Sequence, residues 1–331
     1  MKHLFTLLFC FVLVAGLSAQ TLGDYKIKEA AKTKRMAKKD KRVYIADFQV
    51  NYQLGLALQD EKTGGRMFGG GVKGNTSASL VVGLTGINEE DLQNMTNKFY
   101  EDYINDLKSQ GFEIVGPEEF FEQKSVLKKR DKRWQIKTYN DGPKAGNNFG
   151  SIVTRPQGFK TVAPLVEVNS ANPVQNMKTM YIAQTEMKVE QEADFIMNRV
   201  FLNIQAFENS QGAASKMISR MSKTATVKAE TNFRVSGQWS KNTFNMYSTY
   251  TSSDIPINGV IEKQKFNVQT VADRDSWGTN IGAFKVFKAD NRSYENVKTV
   301  KCEPEKYLKG AEMGGTAFLK ETLKMFYTAF K

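Results

Sequence analysis

Apolar and polar positions change rhythm several times along this chain. In VYIADFQVNYQLGLAL (43–58), Val43, Ile45, Phe48, Val50, Tyr52 and Leu54 are apolar and Asp47 interrupts them. A period near two, carried by β-branched and aromatic residues, predicts a strand. SASLVVGL (77–84) predicts another, and its continuous LVVGL run suits a strand buried on both faces. Between them lies GGRMFGGGVKGN (64–75), which reads as a loop. The rhythm then turns helical. In NEEDLQNMTNKFYEDYINDLKSQG (88–111), Leu92, Met95, Phe99, Tyr103 and Leu107 form one stripe. Asn88 suits the N-cap, three acids follow it at the positive end of the dipole, and Gly111 suits a left-handed C-cap. FEIV (112–115) predicts a strand, and Pro117 opens a second helix through PEEFFEQKSVLKKR.

Residues 131–180 read as a long loop around YNDGPKAGNNFG (139–150), followed by short strands near Phe159–Val168. EADFIMNRVFLNIQAF (192–207) predicts a long strand, and QGAASKMISRMSK (211–223) a short helix. Three alternating stretches follow, TVKAETNFRVSGQW, TFNMYSTYTSS and IPINGVIEKQKFNVQTV, the last with a turn at Asn258-Gly259. They predict an antiparallel sheet with one wet face. TAFLKETLKMFYTAFK closes the chain as an amphipathic helix. The expected fold is therefore α/β in the α+β sense. A mixed sheet flanked by helices fills the first half, antiparallel strands fill the second, and a helix ends it.

Charge and export signals add a compartment. MKHLFTLLFCFVLVAGLSAQ has a basic start and a short apolar run from Leu4 to Leu17, which predicts a signal peptide over 1–19 cut before Gln20. Cleavage removes His3, the only histidine, and Cys10, leaving Cys302 as the only thiol. Residues 20–42 form a basic, solvated and partly helical lead-in, and 43–331 one composite α/β domain. The net charge of +12 favours anionic partners: lipid headgroups, envelope polymers or acidic envelope proteins. Export argues against nucleic acid.

The order of these elements resembles a known pattern. The strand VYIADFQV, the helix ending YINDLKSQG, the strand FEIV, a second helix and the later strand opening EADFIMNRVFL recur together. They resemble the periplasmic α/β domains of the curli-export channel family (CsgG-like) and its relatives, the TolB amino-terminal domain and the LpoB-type peptidoglycan-synthase activators. The resemblance covers residues 43–130 and 190–208. It implies envelope assembly, export or regulation by protein contact, and no catalytic site. Curli-type channels carry a lipidated cysteine after the signal, where this chain has Gln20.

Candidate chemistry is sparse. Gly69, Gly71 and Gly74 fit G-x-G-x-x-G, but a strand rather than a helix follows, and Lys73 lacks the Gly-Lys-Ser/Thr context of a P-loop. Histidine-based triads and Cys-His pairs need a histidine the mature chain lacks. Ser125 and Lys128 have S-x-x-K spacing without companion motifs. Asp273-Arg274-Asp275 and Glu89-Glu90-Asp91 are the only acid clusters with any cation-binding character. Asp47, Glu118, Glu119, Glu190 and Asp194 are carboxylates near strand ends and helix starts, and no pair among them stands out. No cofactor is expected.

Two segments carry binding character. Gly69, Gly70, Gly71, Lys73, Leu80, Val81 and Val82 form a candidate membrane or assembly segment. Lys128, Lys129, Arg130, Lys132, Arg133 and Trp134 form a candidate anion-binding patch. The leading expectation is an exported, non-catalytic binding and assembly protein of the envelope, periplasmic or peripheral at the outer membrane. It would serve as a secretion-channel component or accessory, with homo-oligomerisation open. Two alternatives stay open: a secreted pore-former that rearranges Gly69–Leu84 on membranes, and a carboxylate-only enzyme such as a glycosidase.

Overall fold

The computed structural model describes residues 20–30, 38–62, 76–127, 134–165, 173–211, 224–246, 248–271 and 297–331. The first half contains β1 (Thr21–Leu22), β2 (Ile27–Glu29), β3 (Arg42–Gln53), β4 (Gly55–Lys62), β5 (Thr76–Thr85), α1 (Glu89–Ser109) and β6 (Glu113–Val115). Then come α2 (Pro117–Glu122), α3 (Lys124–Leu127), β7 (Trp134–Tyr139), β8 (Lys144–Ala145), β9 (Ser151–Thr154), β10 (Phe159–Pro164) and α4 (Pro173–Glu192). The second half contains β11 (Ile196–Asn209), β12 (Thr224–Val235), β13 (Lys241–Phe244), β14 (Ser248–Ser252), β15 (Ile255–Asn258), β16 (Lys265–Val271), β17 (Val297–Lys301) and α5 (Pro304–Tyr327). The fold is the mixed α+β arrangement expected, with antiparallel strands in the second half and a terminal helix.

The spine is a parallel pair. β3 and β11 run side by side from Val43 opposite Ile196 to Gln53 opposite Gln205. β6 joins one end of β3 in parallel, and β9 joins the other end antiparallel. The far edge of β11 is shared, with β13 on Asn198–Phe201 and β12 on Ile204–Asn209. β15 and β16 both lie antiparallel along β12, so the chain turns at Gly259 (φ +78°) and continues in the same direction.

The spine also explains an imperfect sequence pattern. Val43 and Ile45 share the main core with Phe48, Val50 and Tyr52, so the alternation slips by one residue between them. Ile45 pairs with Asn198 and Asp47 with Arg199, which makes Ala46 the extra residue of a β-bulge. The bulge keeps both halves of β3 facing the core.

α1 and α5 cover one face of the sheet. Asn88 caps α1 by accepting from the Glu90 amide at 3.2 Å, and Gly111 has φ +81°. Phe99, Tyr103 and Leu107 face the main core, as do Phe318, Leu323 and Phe326 of α5. α5 begins well before the apolar stripe at its end. Gly310, Gly314 and Gly315, which resemble a break in the sequence, are its contact face. A Cβ at these positions would lie 2.4 Å from Val260, 2.5 Å from Ile257 and 2.4 Å from Phe99. A second, smaller core lies on the opposite face, around Tyr44, Phe120, Val126, Trp134 and Phe195.

Several expectations need correction. The helix opened by Pro117 is two short helices, because Gln123 between them is extended (ψ 133°). The lead-in is not a solvated tail over 20–30: β1 pairs with β15 and β2 with β14. The 131–180 region holds β7 to β10 and the first two turns of α4. That helix shows no apolar stripe in its sequence, so periodicity does not reveal it. The expected helix at 211–223 lies outside the described residues.

Candidate assembly site

The two strands that border the glycine-rich stretch form an arm that leaves the spine at a sharp corner. β3 ends at Gln53 and β4 begins at Gly55. At this corner the amides of Leu54 and Gly55 both donate to the Gly150 carbonyl, at 2.8 and 3.0 Å. Gly150 has φ +66°, and a Cβ there would lie 2.4 Å from the Gly55 Cα. Only glycine fits this approach. The corner sends β4 out to pair with β5, from Gly55 opposite Gly83 to Lys62 opposite Thr76.

β5 is the middle strand of its own sheet, antiparallel to β4 and parallel to β17. Leu80 and Val82 lie in the main core, and Val81 on the other face is also buried. The continuous apolar run is thus a strand buried on both sides, as its sequence suggests. These three members of the candidate membrane segment are part of the folded core. Gly69, Gly70, Gly71 and Lys73 lie outside the described residues.

The ends of four strands meet where this arm stops. Lys62 pairs with Thr76 at the tip of β4–β5, and Thr224 pairs with Val271 where β12 and β16 meet. The Asp60 carboxylate accepts from the Thr226 amide at 2.9 Å, which ties the two pairs together. β11 ends nearby, with Asn209 opposite Ala229 and the Ser210 amide donating to Lys228. The fold therefore gathers the borders of 63–75 and 212–223, and the start of 272–296, at one end. The first two of these segments carry Arg66, Lys73, Lys216, Arg220 and Lys223 and no acid. Sequence reasoning picked out the first segment alone. The partnership of the others depends on strand register, which a single sequence does not display.

The candidate anion patch splits. Lys128, Lys129, Arg130, Lys132 and Arg133 lie outside the described residues. Trp134 is buried at 4% exposure, its ring 5.7 Å from that of Phe120, so it supplies no open stacking surface. An aromatic beside a basic run is here a core residue at the start of β7.

Four of the five candidate carboxylates, Asp47, Glu119, Glu190 and Asp194, are engaged in structural contacts, and Glu118 lies in the first turn of α2. Asp47 takes two hydrogen bonds from Arg155, the closer at 2.9 Å, and Arg155 in turn lies over the Tyr139 ring. Arg42 binds Glu113, Glu119 and Asp194 together, at 3.0, 2.7 and 2.6 Å. The Glu190 side chain is fully buried and accepts from the Met246 amide at 2.9 Å. Burial pushes its carboxyl above the usual range. Among the described residues no group of three metal-ligating side chains comes together. Asp273 and Asp275 lie outside them, and Glu89, Glu90 and Asp91 occupy the first turn of α1. Ser125 donates its amide to Glu192, and its S-x-x-K partner Lys128 lies outside the described residues. Among the described residues no helix is long and apolar enough to cross a membrane.

No protein-family model, no curated protein and no solved structure matches the chain.

Proposed function

We propose that this chain is an exported, non-catalytic binding and assembly protein of the cell envelope, working as a secretion-channel component or accessory. Its site of assembly is the end where β4, β5, β12 and β16 meet. The observation that carries the reading is the Asp60–Thr226 contact, which holds the borders of two acid-free cationic segments together on a rigid base. Cationic segments that begin and finish at one end of the fold favour an anionic surface or partner there. The leader-like start and the basic composition support the same reading, and so does the resemblance to curli-type export domains. Its partners are envelope proteins, anionic envelope polymers or lipid headgroups, and further copies of the chain.

The test replaces 64–75 with a two-residue Asn-Gly turn in the 20–331 protein. Sedimentation in mild detergent then reports assembly, and far-UV circular dichroism reports the fold. Loss of assembled species with the fold intact supports the reading. Unchanged assembly contradicts it. Leakage from anionic vesicles by the parent protein alone would favour the pore-forming alternative. That alternative must detach Leu80–Val82 from the core first.

A further inference from the structure

The edge of β3 that carries β6 and β9 has a gap. β6 covers Arg42–Tyr44 and β9 covers Val50–Gln53. Between them, among the described residues, no strand pairs with this edge. Side chains cover part of it. The Thr161 hydroxyl donates to the Ala46 carbonyl at 2.6 Å, and Arg155 holds the side chains of Asp47 and Gln49. Ile45 is left, and its carbonyl lacks a donor for a chemical reason. The ladder starts with the Glu113 amide donating to the Lys41 carbonyl at 2.8 Å. In a parallel pair the bonds advance by two residues on each strand. The Val43 carbonyl therefore takes the Val115 amide, and the Ile45 carbonyl would take the amide of residue 117. Residue 117 is proline, which has none. Among the described residues no other donor reaches this carbonyl.

A cleft of about 310 Å³ opens at this point. It touches both Tyr44 and Ile45, whose side chains serve the two opposite cores, so it lies on the strand edge itself. Its apolar lining includes the rings of Tyr100 and Phe159, packed edge to face with centroids 5.6 Å apart, and Ile114 and Pro117. Two polar groups of the lining are free among the described residues. The Tyr100 hydroxyl has no hydrogen-bond partner, and exposed Lys160 has no ion pair.

We infer that this cleft binds a free aromatic α-amino acid. The three groups of such a ligand match three features of the cleft. Its flat apolar side chain packs against Tyr100 and Phe159. Its carboxylate meets the Lys160 ammonium and the Tyr100 hydroxyl. Its amino group donates to the Ile45 carbonyl, which the sheet leaves open. The volume suits a molecule of about a dozen non-hydrogen atoms. A fatty acid would leave the Ile45 carbonyl unpaired, and a simple amine would leave Lys160 without a counter-charge. The cleft is separate from the assembly end, and the inference does not rest on that proposal.

The test is calorimetric titration of the 20–331 protein with L-phenylalanine. Two analogues run beside it: 3-phenylpropionate, which lacks the amino group, and phenethylamine, which lacks the carboxylate. Saturable binding of L-phenylalanine is expected, with each analogue weaker by about tenfold, the loss of one charge-assisted hydrogen bond. Lys160→Ala should erase the preference over phenethylamine. Pro117→Ala returns an amide to the ladder and should erase the preference over 3-phenylpropionate. Tyr100→Phe keeps the ring and should weaken L-phenylalanine by about three- to tenfold. Lys160 is exposed and Pro117 opens α2, where alanine is tolerated, so these variants keep the fold, and circular dichroism checks this. Absence of saturation by about 10 mM L-phenylalanine overturns the inference. Equal binding of all three compounds overturns it too, as does a preference that its variant leaves unchanged. A failure here with intact assembly leaves the proposed function standing.

Discussion

The Asp60 carboxylate accepts from the Thr226 amide at 2.9 Å, and through it the β4–β5 arm is fastened to the first residues of β12. The two residues are far apart in sequence and belong to different sheets. Asp60→Ala removes the acceptor and leaves the Thr226 N–H without it. Stability should fall by about 1–2 kcal/mol. Amide exchange at Thr226 and its neighbours should speed up while exchange in α1 stays slow. Equal loss of protection throughout the molecule would mean that the contact is not local to the arm.

The corner at Gly55 depends on Gly150. A Cβ at Gly150 would meet the Gly55 backbone at 2.4 Å, on a residue with φ +66°. Gly142 and Gly158 share that backbone conformation, with φ +66° and +72°, but have open space around the missing Cβ. Gly150→Ala should therefore cost more than about 2 kcal/mol, and Gly142→Ala or Gly158→Ala about 1 kcal/mol. Urea unfolding of the three variants separates backbone strain from collision.

A buried polar network joins both covering helices to the sheet. Tyr103 of α1 donates to Asn198 and Asn242, each at 3.1 Å, and Asn242 donates to Thr322 of α5 at 3.0 Å. Asn198 and Asn242 are also bonded to each other at 2.8 Å. Asn242→Ala leaves a polar cavity between two helices and should cost about 3 kcal/mol. Thr243→Ala, on the outer face next door, should cost less than about 1 kcal/mol. Thermal unfolding of the pair checks the contrast.

Glu190 gives the fold a pH dependence with a definite sign. Its side chain is buried, Arg199 lies 3.9 Å away, and Glu186 and Lys39 are its other charged neighbours. Burial raises its pKa in the folded chain, so the folded state holds the proton more tightly than the unfolded one. The stability this contributes is complete below the unfolded value of about 4.3 and is lost as pH rises through the folded value. Glu190→Gln keeps an acceptor for the Met246 amide and removes the loss. The melting temperature of the variant should gain on that of the parent as pH rises from about 4 to about 8. A constant difference across that range would show that Glu190 does not titrate within it.

Much of the architecture was legible in the sequence, for physical reasons. α1 announced itself through its stripe, its Asn88 cap and Gly111, because local chemistry decides each of them. β5 was legible because a strand buried on both faces cannot alternate. Other features were invisible for equally definite reasons. α4 lacks a stripe, and the glycines of α5 look like breaks until Val260, Ile257 and Phe99 are seen against them. Trp134 looks like a surface aromatic because it follows a basic run, yet its ring completes the smaller core. The assembly end was only partly legible: Gly69–Lys73 stood out by composition, but that Thr226, just past 212–223, meets Asp60, just before 63–75, is a long-range fact.

The most direct test of the central proposal is the native mass of the 20–331 protein, measured with and without mild detergent. The proposal predicts a discrete assembled species that disappears when 64–75 is replaced by a short turn. A monomer in both conditions would contradict it.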